Sequence, residues 1–289
     1  GLSIRDAIPD LIRSLQKRPA DPCGTMMALA ELQAKDVVKL IERGLTDAEA
    51  YDRIEAMDAL VLLESRPSAV SVRNLLKDSA IVVREHAAFA VGQLDGDEAI
   101  PALIDLLADD DESVQREAAL SLCLYPPEKV APGLKERLGK GAAVLGALRA
   151  ITLLRLSSLR EEVRALADDP DESIRAAALD ALSAIGDRES APLQVAALED
   201  SFAVVRAAAV RALARLRVRS AGDALARLLE DKDPDVRRLT IRAVAQVPSD
   251  GIVDRLRPLL QDRDAFVRTD AAGALVLLKA TGCLDEIVR

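Results

Sequence analysis

The fold is decided by two stretches of sequence, DSFAVVRAAAVRALARL at 200–216 and DKDPDVRRLTIRAVAQV at 231–247. Both open on Asp, reach a Val-Arg pair after a short acidic or polar turn, and continue with small and apolar residues at matching positions. They start 31 residues apart, and testing the same spacing along the chain reveals an internal repeat. We number each copy from the position that Val205 and Val236 occupy in these two stretches. Nine copies then start at 21, 52, 83, 114, 143, 174, 205, 236 and 267, with one interval of 29 residues.

Each position of a copy is numbered by its offset, the number of residues after the start of that copy. Small and apolar residues occupy the same offsets in these copies. Offsets 4 and 7 hold mostly Ala, as at Ala209 and Ala212, and offset 8 is Leu, Val or Ile in each copy. With offsets 0 and 11 these positions share one face of an α-helix, and small residues there let a neighbouring helix approach closely. A second amphipathic stretch precedes each copy, as at 221–230, and an acidic turn such as 231–235 joins the two. We therefore predict repeats of helix A, acidic turn and helix B, with Asp capping helix B.

Two-helix units cannot bury their apolar faces alone, so they stack around a continuous core. The fold class that we predict is all-α, a right-handed α-solenoid of about nine two-helix repeats. It is expected to form a single domain over residues 1–289, with helix B starting near each of the nine positions above. The 29-residue interval near Gly139 and Gly141 is the one irregular place.

Composition limits the class of protein. The sequence has 289 residues, 50% of them hydrophobic and 30% charged, which excludes a disordered chain. The net charge of −9 argues against a general nucleic-acid binder, and no apolar run approaches a membrane span. Cys23, Cys123 and Cys283 form no CxxC pair, so we expect buried, reduced thiols in a cytoplasmic protein.

The pattern D-x-D-x-x-V-R-x-x-A-x-x-A-L-x-x-L, quoted from 231–247 and from the closely related 200–216, resembles the HEAT repeat. It is most similar to the short bacterial HEAT-like type first named from phycobilin lyase subunits. The resemblance covers about residues 4 to 289. It implies that helices B line the concave side, and that the protein is a scaffold, an adaptor or one of a few enzymes. HEAT enzymes of the deoxyhypusine hydroxylase type carry several His-Glu pairs, whereas this chain has a single His, His86, beside Glu85.

An arginine column occupies offset 1. We expect these guanidinium groups to pair with carboxylates of their own or adjacent turns, although an anion-binding role is the alternative. The column consists of Arg53, Arg84, Arg175, Arg206, Arg237 and Arg268.

Solvent-facing positions of helix B supply the candidate binding residues. Phe89 and Leu120 are apolar where exposure is expected, and residues 201–260 hold 12 Lys+Arg against 7 Asp+Glu. The alternative is an ordinary solvated face. The candidate partner-binding residues on the concave face are Phe89, Leu120, Arg149, Arg211, Arg215, Arg238 and Arg242.

The predicted function is a non-enzymatic scaffold or adaptor that binds a protein segment, acidic or phosphorylated and with an apolar anchor. No nucleophile motif, phosphate loop or metal-ligand spacing is present, so we expect no catalysis, cofactor or metal. One alternative is a subunit of a chromophore lyase or a related modifying enzyme. The other is nucleic-acid binding through the local basic patch, against which the net charge argues.

Overall fold

The computed structural model describes residues 7–17, 23–139, 141, 143–247 and 249–279. Every regular element in these ranges is helical, and we number the α-helices in chain order. Repeat n consists of one odd-numbered helix A and the following even-numbered helix B. The A helices are α1 (Ile8–Gln16), α3 (Val38–Ile41), α5 (Ala69–Arg73), α7 (Ala99–Leu106), α9 (Pro127–Arg137), α11 (Arg160–Ala165), α13 (Ala191–Ala196), α15 (Gly222–Arg227) and α17 (Ile252–Leu256). The B helices are α2 (Cys23–Glu31), α4 (Ala50–Leu62), α6 (Ile81–Leu94), α8 (Glu112–Leu122), α10 (Ala143–Leu154), α12 (Glu172–Ile185), α14 (Ala203–Leu216), α16 (Pro234–Gln246) and α18 (Ala265–Leu277).

The chain divides into two compact units. Unit 1 is Gly1–Ala150 and unit 2 is Ile151–Arg289. The division lies close to the 29-residue interval of the sequence, where the repeat spacing is irregular. Within unit 1, α2, α4, α6 and α8 pack side by side in that order, and within unit 2 α12, α14, α16 and α18 do the same. A single uninterrupted solenoid over 1–289 stays a prediction.

The core of each unit consists of the columns that the periodicity predicts. From the second repeat onward, the residues at offsets 4, 7 and 8 are buried in every B helix. In α14 these are Ala209, Ala212 and Leu213, each with no exposed surface. Because alanine adds only a methyl group to the helix, adjacent B helices can pack closely, and the predicted assignment of the helix faces is confirmed.

Four of the described B helices begin at an aspartate cap. Asp111, Asp171, Asp233 and Asp264 are N-caps whose carboxylates accept hydrogen bonds from backbone N–H groups of the first turn. The N-caps of α4, α6 and α14 are not aspartates and make no side-chain cap hydrogen bond, so the predicted Asp cap is confirmed only in part. In seven repeats the helix starts two residues before the predicted position, because the first turn precedes the first core residue.

Most A helices are shorter than predicted, and six of those in the described ranges finish in a 3₁₀ turn, namely α3, α5, α11, α13, α15 and α17. The predicted helix 221–230, for example, is Gly222–Arg227 followed by the 3₁₀ segment Leu228–Glu230. The next residue, Asp231, has φ −56 and ψ 143, which turns the chain towards helix B. Tightening the last turn in this way satisfies carbonyl groups that an α-helix would leave free.

No helix in the described ranges combines the length and the apolar character that crossing a bilayer requires.

Candidate functional site

The arginine column forms a series of ion pairs between consecutive repeats. Arg206 Nε donates to Asp231 Oδ2 at 2.7 Å, and Arg206 Nη1 donates to the carbonyl oxygen of Asp200 at 2.8 Å. Asp231 is 25 residues further along the chain, in the turn of the next repeat. We call this series the arginine ladder; its pairs are Arg53–Asp78, Arg84–Asp109, Arg175–Asp200, Arg206–Asp231 and Arg237–Asp262.

Each aspartate of the ladder performs several structural tasks. The carboxylate of Asp231 also accepts the backbone N–H of Asp233, and its carbonyl accepts Nη1 of Arg237. Burial alone would raise the pKa of the Asp231 carboxyl, but the hydrogen bonds from Arg206 and from the backbone hold that pKa below its ordinary value. The structural interpretation of these five arginines is confirmed, since each pairs with the aspartate 25 residues ahead. Arg268 differs, since it donates only to the carbonyls of Asp262 and Arg263 among the described residues.

The predicted basic cluster of unit 2 is partly neutralised within the protein. Arg211 pairs with Asp180 at 2.7 Å. Arg238 and Arg242 both bind Asp270, at 3.0 and 3.1 Å. Arg238 also pairs with Asp235 at 3.3 Å. The four arginines of the cluster, with Arg215 included, and these three aspartates leave a net charge of +1 rather than +4, so the expected basic patch is largely neutralised. Asp180 and Asp270 belong to neighbouring repeats, which sequence offsets within one repeat do not reveal.

The two remaining arginines of the candidate set have weaker contacts. Arg149 Nη2 lies 3.9 Å from Glu112 Oε1, and Arg149 Nη1 donates to Gln115 Oε1 at 3.4 Å. Arg215 Nη1 donates to Ser183 Oγ at 3.4 Å. Because these contacts are long, both guanidinium groups can still donate hydrogen bonds to a bound partner.

The apolar candidates of unit 1 are exposed as predicted. Phe89 in α6 is 41% exposed, Leu120 in α8 is 45% exposed, and Leu124, just after α8, is 54% exposed. The Arg211–Asp180 pair joins the offset-6 residues of adjacent B helices, which shows that such residues reach one another. The same spacing makes Phe89 the neighbour of both Asp58 and Leu120. We call Phe89, Leu120 and Leu124 the apolar patch.

A cavity of about 300 Å³ adjoins the apolar patch, lined by Asp58, Glu85, His86, Phe89 and Glu117. Asp58 and Glu117 are partly buried, and within the described part of the chain neither carboxylate makes a hydrogen bond or an ion pair. Glu85 Oε1 lies 4.0 Å from Arg116 Nη2.

Burial raises the pKa of the Asp58 carboxyl above its ordinary value against the opposing effect of His86. Burial and the charge of Glu85 likewise raise the pKa of Glu117. The ionised forms of both carboxyl groups are therefore destabilised by their surroundings, and a cation in the cavity would stabilise those ionised forms.

Sequence reasoning missed this acidic cavity. It named His86 and Glu85 only in the comparison with hydroxylase-type HEAT enzymes, and it assigned no role to Asp58 or Glu117. The signal lies at offset 3, where three consecutive repeats hold Glu55, His86 and Glu117. Offsets 3 and 6 lie on one face of a helix, so reading both columns together would have placed these groups side by side.

Two further expectations concern cysteine and metal. Cys123 is free but exposed, which corrects the prediction of a buried thiol; it follows the last residue of α8, where the helix face turns to solvent. The Cys23 side chain and Cys283 lie outside the described residues. In the part of the chain that the structure describes, no group of three or more His, Cys, Asp or Glu side chains is arranged to hold a metal ion.

Comparison with known proteins identifies the repeat. The family model described as HEAT repeats matches residues 70–145, 143–214 and 191–276. It does not distinguish the phycobilin-lyase type from other members. A search of curated proteins gives no significant match.

Solved structures show the same fold at low sequence identity. Kap95p, in a complex with RanGDP, has a TM-score of 0.71 at 13% identity, over 95% of this chain and 45% of its own. A Kap121p mutant has a TM-score of 0.70 at 15% identity, over 96% of this chain and 38% of its own. YibA of Escherichia coli has a TM-score of 0.54 at 19% identity, over 87% of this chain and 95% of its own. This chain thus spans less than half of each of the two karyopherins, and the three structures support an all-α solenoid fold.

Proposed function

The chain belongs to the HEAT-repeat family, and from that premise we propose that it is a non-enzymatic scaffold or adaptor that binds a protein segment on the exposed side of its B helices. Solenoids of this kind present long surfaces to extended partners. Kap95p, which has the same fold, binds the protein RanGDP. This likeness supports a protein as the class of partner.

The observation that carries the proposal is the apolar patch beside the acidic cavity. Phe89 is the only aromatic residue of α6, and at 41% exposure it offers a large face to a ligand while its position in the helix stays rigid. Aromatic side chains of this kind dominate binding energy when a partner covers them. The neighbouring Leu120 and Leu124 extend the apolar area along the next repeat.

The chemistry of the bound segment follows from the cavity. An apolar side chain would cover Phe89 and Leu120. An adjacent Lys or Arg would enter the cavity and pair with Asp58 and Glu117, over the face of Phe89. The partner expected from the sequence alone, an acidic or phosphorylated segment, fits the arginines of unit 2 instead. For unit 1 we therefore propose a segment with a basic residue next to its apolar anchor.

The candidate arginines contribute less to the proposed binding than the apolar patch and the acidic cavity do. Arg211, Arg238 and Arg242 would each have to give up or share an aspartate to bind an acidic segment. Arg149 and Arg215 have only long contacts and remain available as additional hydrogen-bond donors.

The test is selection of peptides from a random library displayed on phage, using the immobilised protein. We expect the selected peptides to carry Leu or Phe next to Lys or Arg. In Phe89→Ser/Leu120→Ser the affinity of the best peptide should fall at least about tenfold, which corresponds to about 1.4 kcal/mol. The affinity should be measured by fluorescence anisotropy of the labelled peptide.

The matched control is Val70→Ser, which removes an exposed apolar side chain, 65% exposed, from the A helix α5. The control should bind the peptide like the wild type. Peptides that bind all three proteins equally, or a selection that yields no binder, would overturn the proposal. Asp58→Asn/Glu117→Gln should lower affinity for the basic peptide and leave affinity for its Lys→Leu variant unchanged.

A further inference from the structure

Unit 2 contains a second cavity, of about 620 Å³, that is separate from the surface proposed above. It lies at the C-terminal ends of α10, α12 and α14, in repeats 5, 6 and 7. All four of its charged lining residues are arginines, and no carboxylate lines it. They are Arg155, Arg188, Arg215 and Arg217.

These arginines differ from most others in the protein because they lack partners. Within the described ranges, the guanidinium groups of Arg155, Arg188 and Arg217 form no hydrogen bond or ion pair, and that of Arg215 has only the 3.4 Å contact with Ser183 Oγ. A group of unpaired guanidinium groups around one cavity is a concentration of positive charge.

Carboxylates near the cavity in sequence are already occupied. Arg164 holds both Asp187 and Glu189, at 2.6 and 3.0 Å, and Asp187 is buried. Arg211 holds Asp180. These acids cannot neutralise the cavity without breaking ion pairs that already exist.

The backbone explains why the arginines surround an open space. Arg155 and Arg217 follow the ends of α10 and α14 with φ of 50 and 51, and Gly186 holds the equivalent place after α12 with φ of 82. All three stand at offset 12 of their repeats. A Cβ atom built on Gly186 would meet no atom within 4 Å, so the space over the middle repeat is empty and arginines flank it on both sides.

The negative C-terminal ends of the three helices offset only part of the positive charge of the arginines. Each helix C-terminus carries about −0.5 of an elementary charge, so three of them contribute about −1.5 against four guanidinium groups. About 2.5 positive charges are left over, which is close to the charge of a doubly ionised phosphoryl group. Such a group has several oxygens that planar guanidinium groups can bind in pairs, whereas a carboxylate engages one or two.

We propose that this cavity binds a phosphoryl group carried by a small molecule or by a phosphorylated side chain. A volume of about 620 Å³ lies within the range of small-ligand sites, so it accommodates the phosphoryl group together with part of its carrier. The buried Ser183 lines the cavity beside Arg215 and adds a hydroxyl group at its wall. This inference does not rest on the proposed function: it shares only Arg215 with it, and the apolar patch and the acidic cavity belong to unit 1.

The test is titration of the full chain with inorganic pyrophosphate by isothermal calorimetry in low salt. We expect saturable binding with one site, and at least tenfold weaker binding by Arg155→Gln/Arg217→Gln. Gln is a suitable replacement because Gln33 occupies the same left-handed position in repeat 1, with φ of 55. An unchanged circular dichroism spectrum and melting temperature establish that the variant is folded.

The matched control, Arg66→Gln/Arg255→Gln, also removes two positive charges, from exposed arginines outside the cavity. It should bind pyrophosphate within about twofold of the wild type. Equal weakening in both variants, or no binding by the wild type, would overturn the proposal. Titrations with ATP and with a phosphoserine peptide then identify the carrier, and tighter binding of either one that is lost in Arg155→Gln/Arg217→Gln supports the site.

Discussion

Repeats 6–9 and repeats 4–5 are built from the same two-helix unit but are connected differently. In repeats 6–9 every consecutive pair is joined by a rung of the arginine ladder, with Arg175, Arg206 and Arg237 each binding the aspartate 25 residues ahead. In repeats 4 and 5 the arginine positions hold Gln115 and Val144 instead. Gln115 still donates to the carbonyl of Asp109, but it carries no charge.

The two regions show that, where the arginine of a rung is absent, the aspartate is either absent too or present without an ion pair. The residue 25 positions after Gln115 is Lys140, so this repeat lacks both the arginine and the aspartate. A buried guanidinium without its carboxylate would be costly, and a neutral side chain avoids that cost. After Val144, Asp169 keeps only its backbone bond to the N–H of Asp171 among the described residues. The ladder is therefore a connection between repeats that a repeat can omit.

The largest expected effect comes from breaking one rung. Asp231→Ala should lower the free energy of unfolding by about 3–5 kcal/mol, because it leaves Arg206, whose side chain is 7% exposed, without a counter-charge. Asp169→Ala is the matched control and should cost about 1 kcal/mol, the value of one backbone hydrogen bond. Urea denaturation followed by circular dichroism measures both. Equal losses in the two variants would show that the ladder contributes no stability of its own.

A smaller effect is expected in repeat 5, where close packing takes the place of a rung. A Cβ atom on Gly146 of α10 would overlap the carbonyl oxygen of Leu107, so Gly146→Ala should cost about 1–3 kcal/mol by overpacking. The control is Gly273→Ala in α18, where no atom lies within 4 Å. This variant should be more stable by up to about 1 kcal/mol, since alanine favours the helix. A stabilised Gly146→Ala would contradict the close approach of α10 to Leu107.

The smallest effect concerns the response to acid. The pKa of the Asp231 carboxyl is lowered in the folded protein, so its stabilisation is complete above the unfolded value of about 3.9 and is lost as the pH falls through the folded value. Melting temperatures between pH 7 and pH 2.5 should fall less steeply in Asp231→Asn than in the wild type. A wild-type slope in Asp231→Asn would exclude the rung as a source of acid sensitivity.

Much of the fold was predictable because it depends on local periodicity. The columns of small and apolar residues identified the B helices and their buried faces, and the aspartates of the turns identified four of the caps. The shortened A helices with their 3₁₀ ends were not predicted, because a change in helix type leaves the hydrophobic period almost unaltered over one turn. Pairing of Arg53, Arg84, Arg175, Arg206 and Arg237 with turn carboxylates was predicted, since those carboxylates recur in every turn near the column.

The candidate site was predicted in part. Exposure of Phe89 and Leu120 followed from their offsets, which are local properties. The sequence did not reveal which arginines lack an ion pair, because Asp270 binds Arg238 and Arg242 from 32 and 28 residues away, across a contact between repeats. The acidic cavity beside Phe89 combines residues of three repeats for the same reason.

The sequence by itself determined the repeat, the helices and the composition of the core, because each of these depends on residues within one or two helical turns. The tertiary structure alone decided which carboxylate each paired arginine binds and which arginines surround an open cavity. Arg206 and Arg217 are eleven positions apart on one helix and its cap, yet one is held by Asp231 and the other has no partner among the described residues. The difference arises because ion pairing depends on what the neighbouring repeat brings within about 4 Å, and local sequence does not specify that distance.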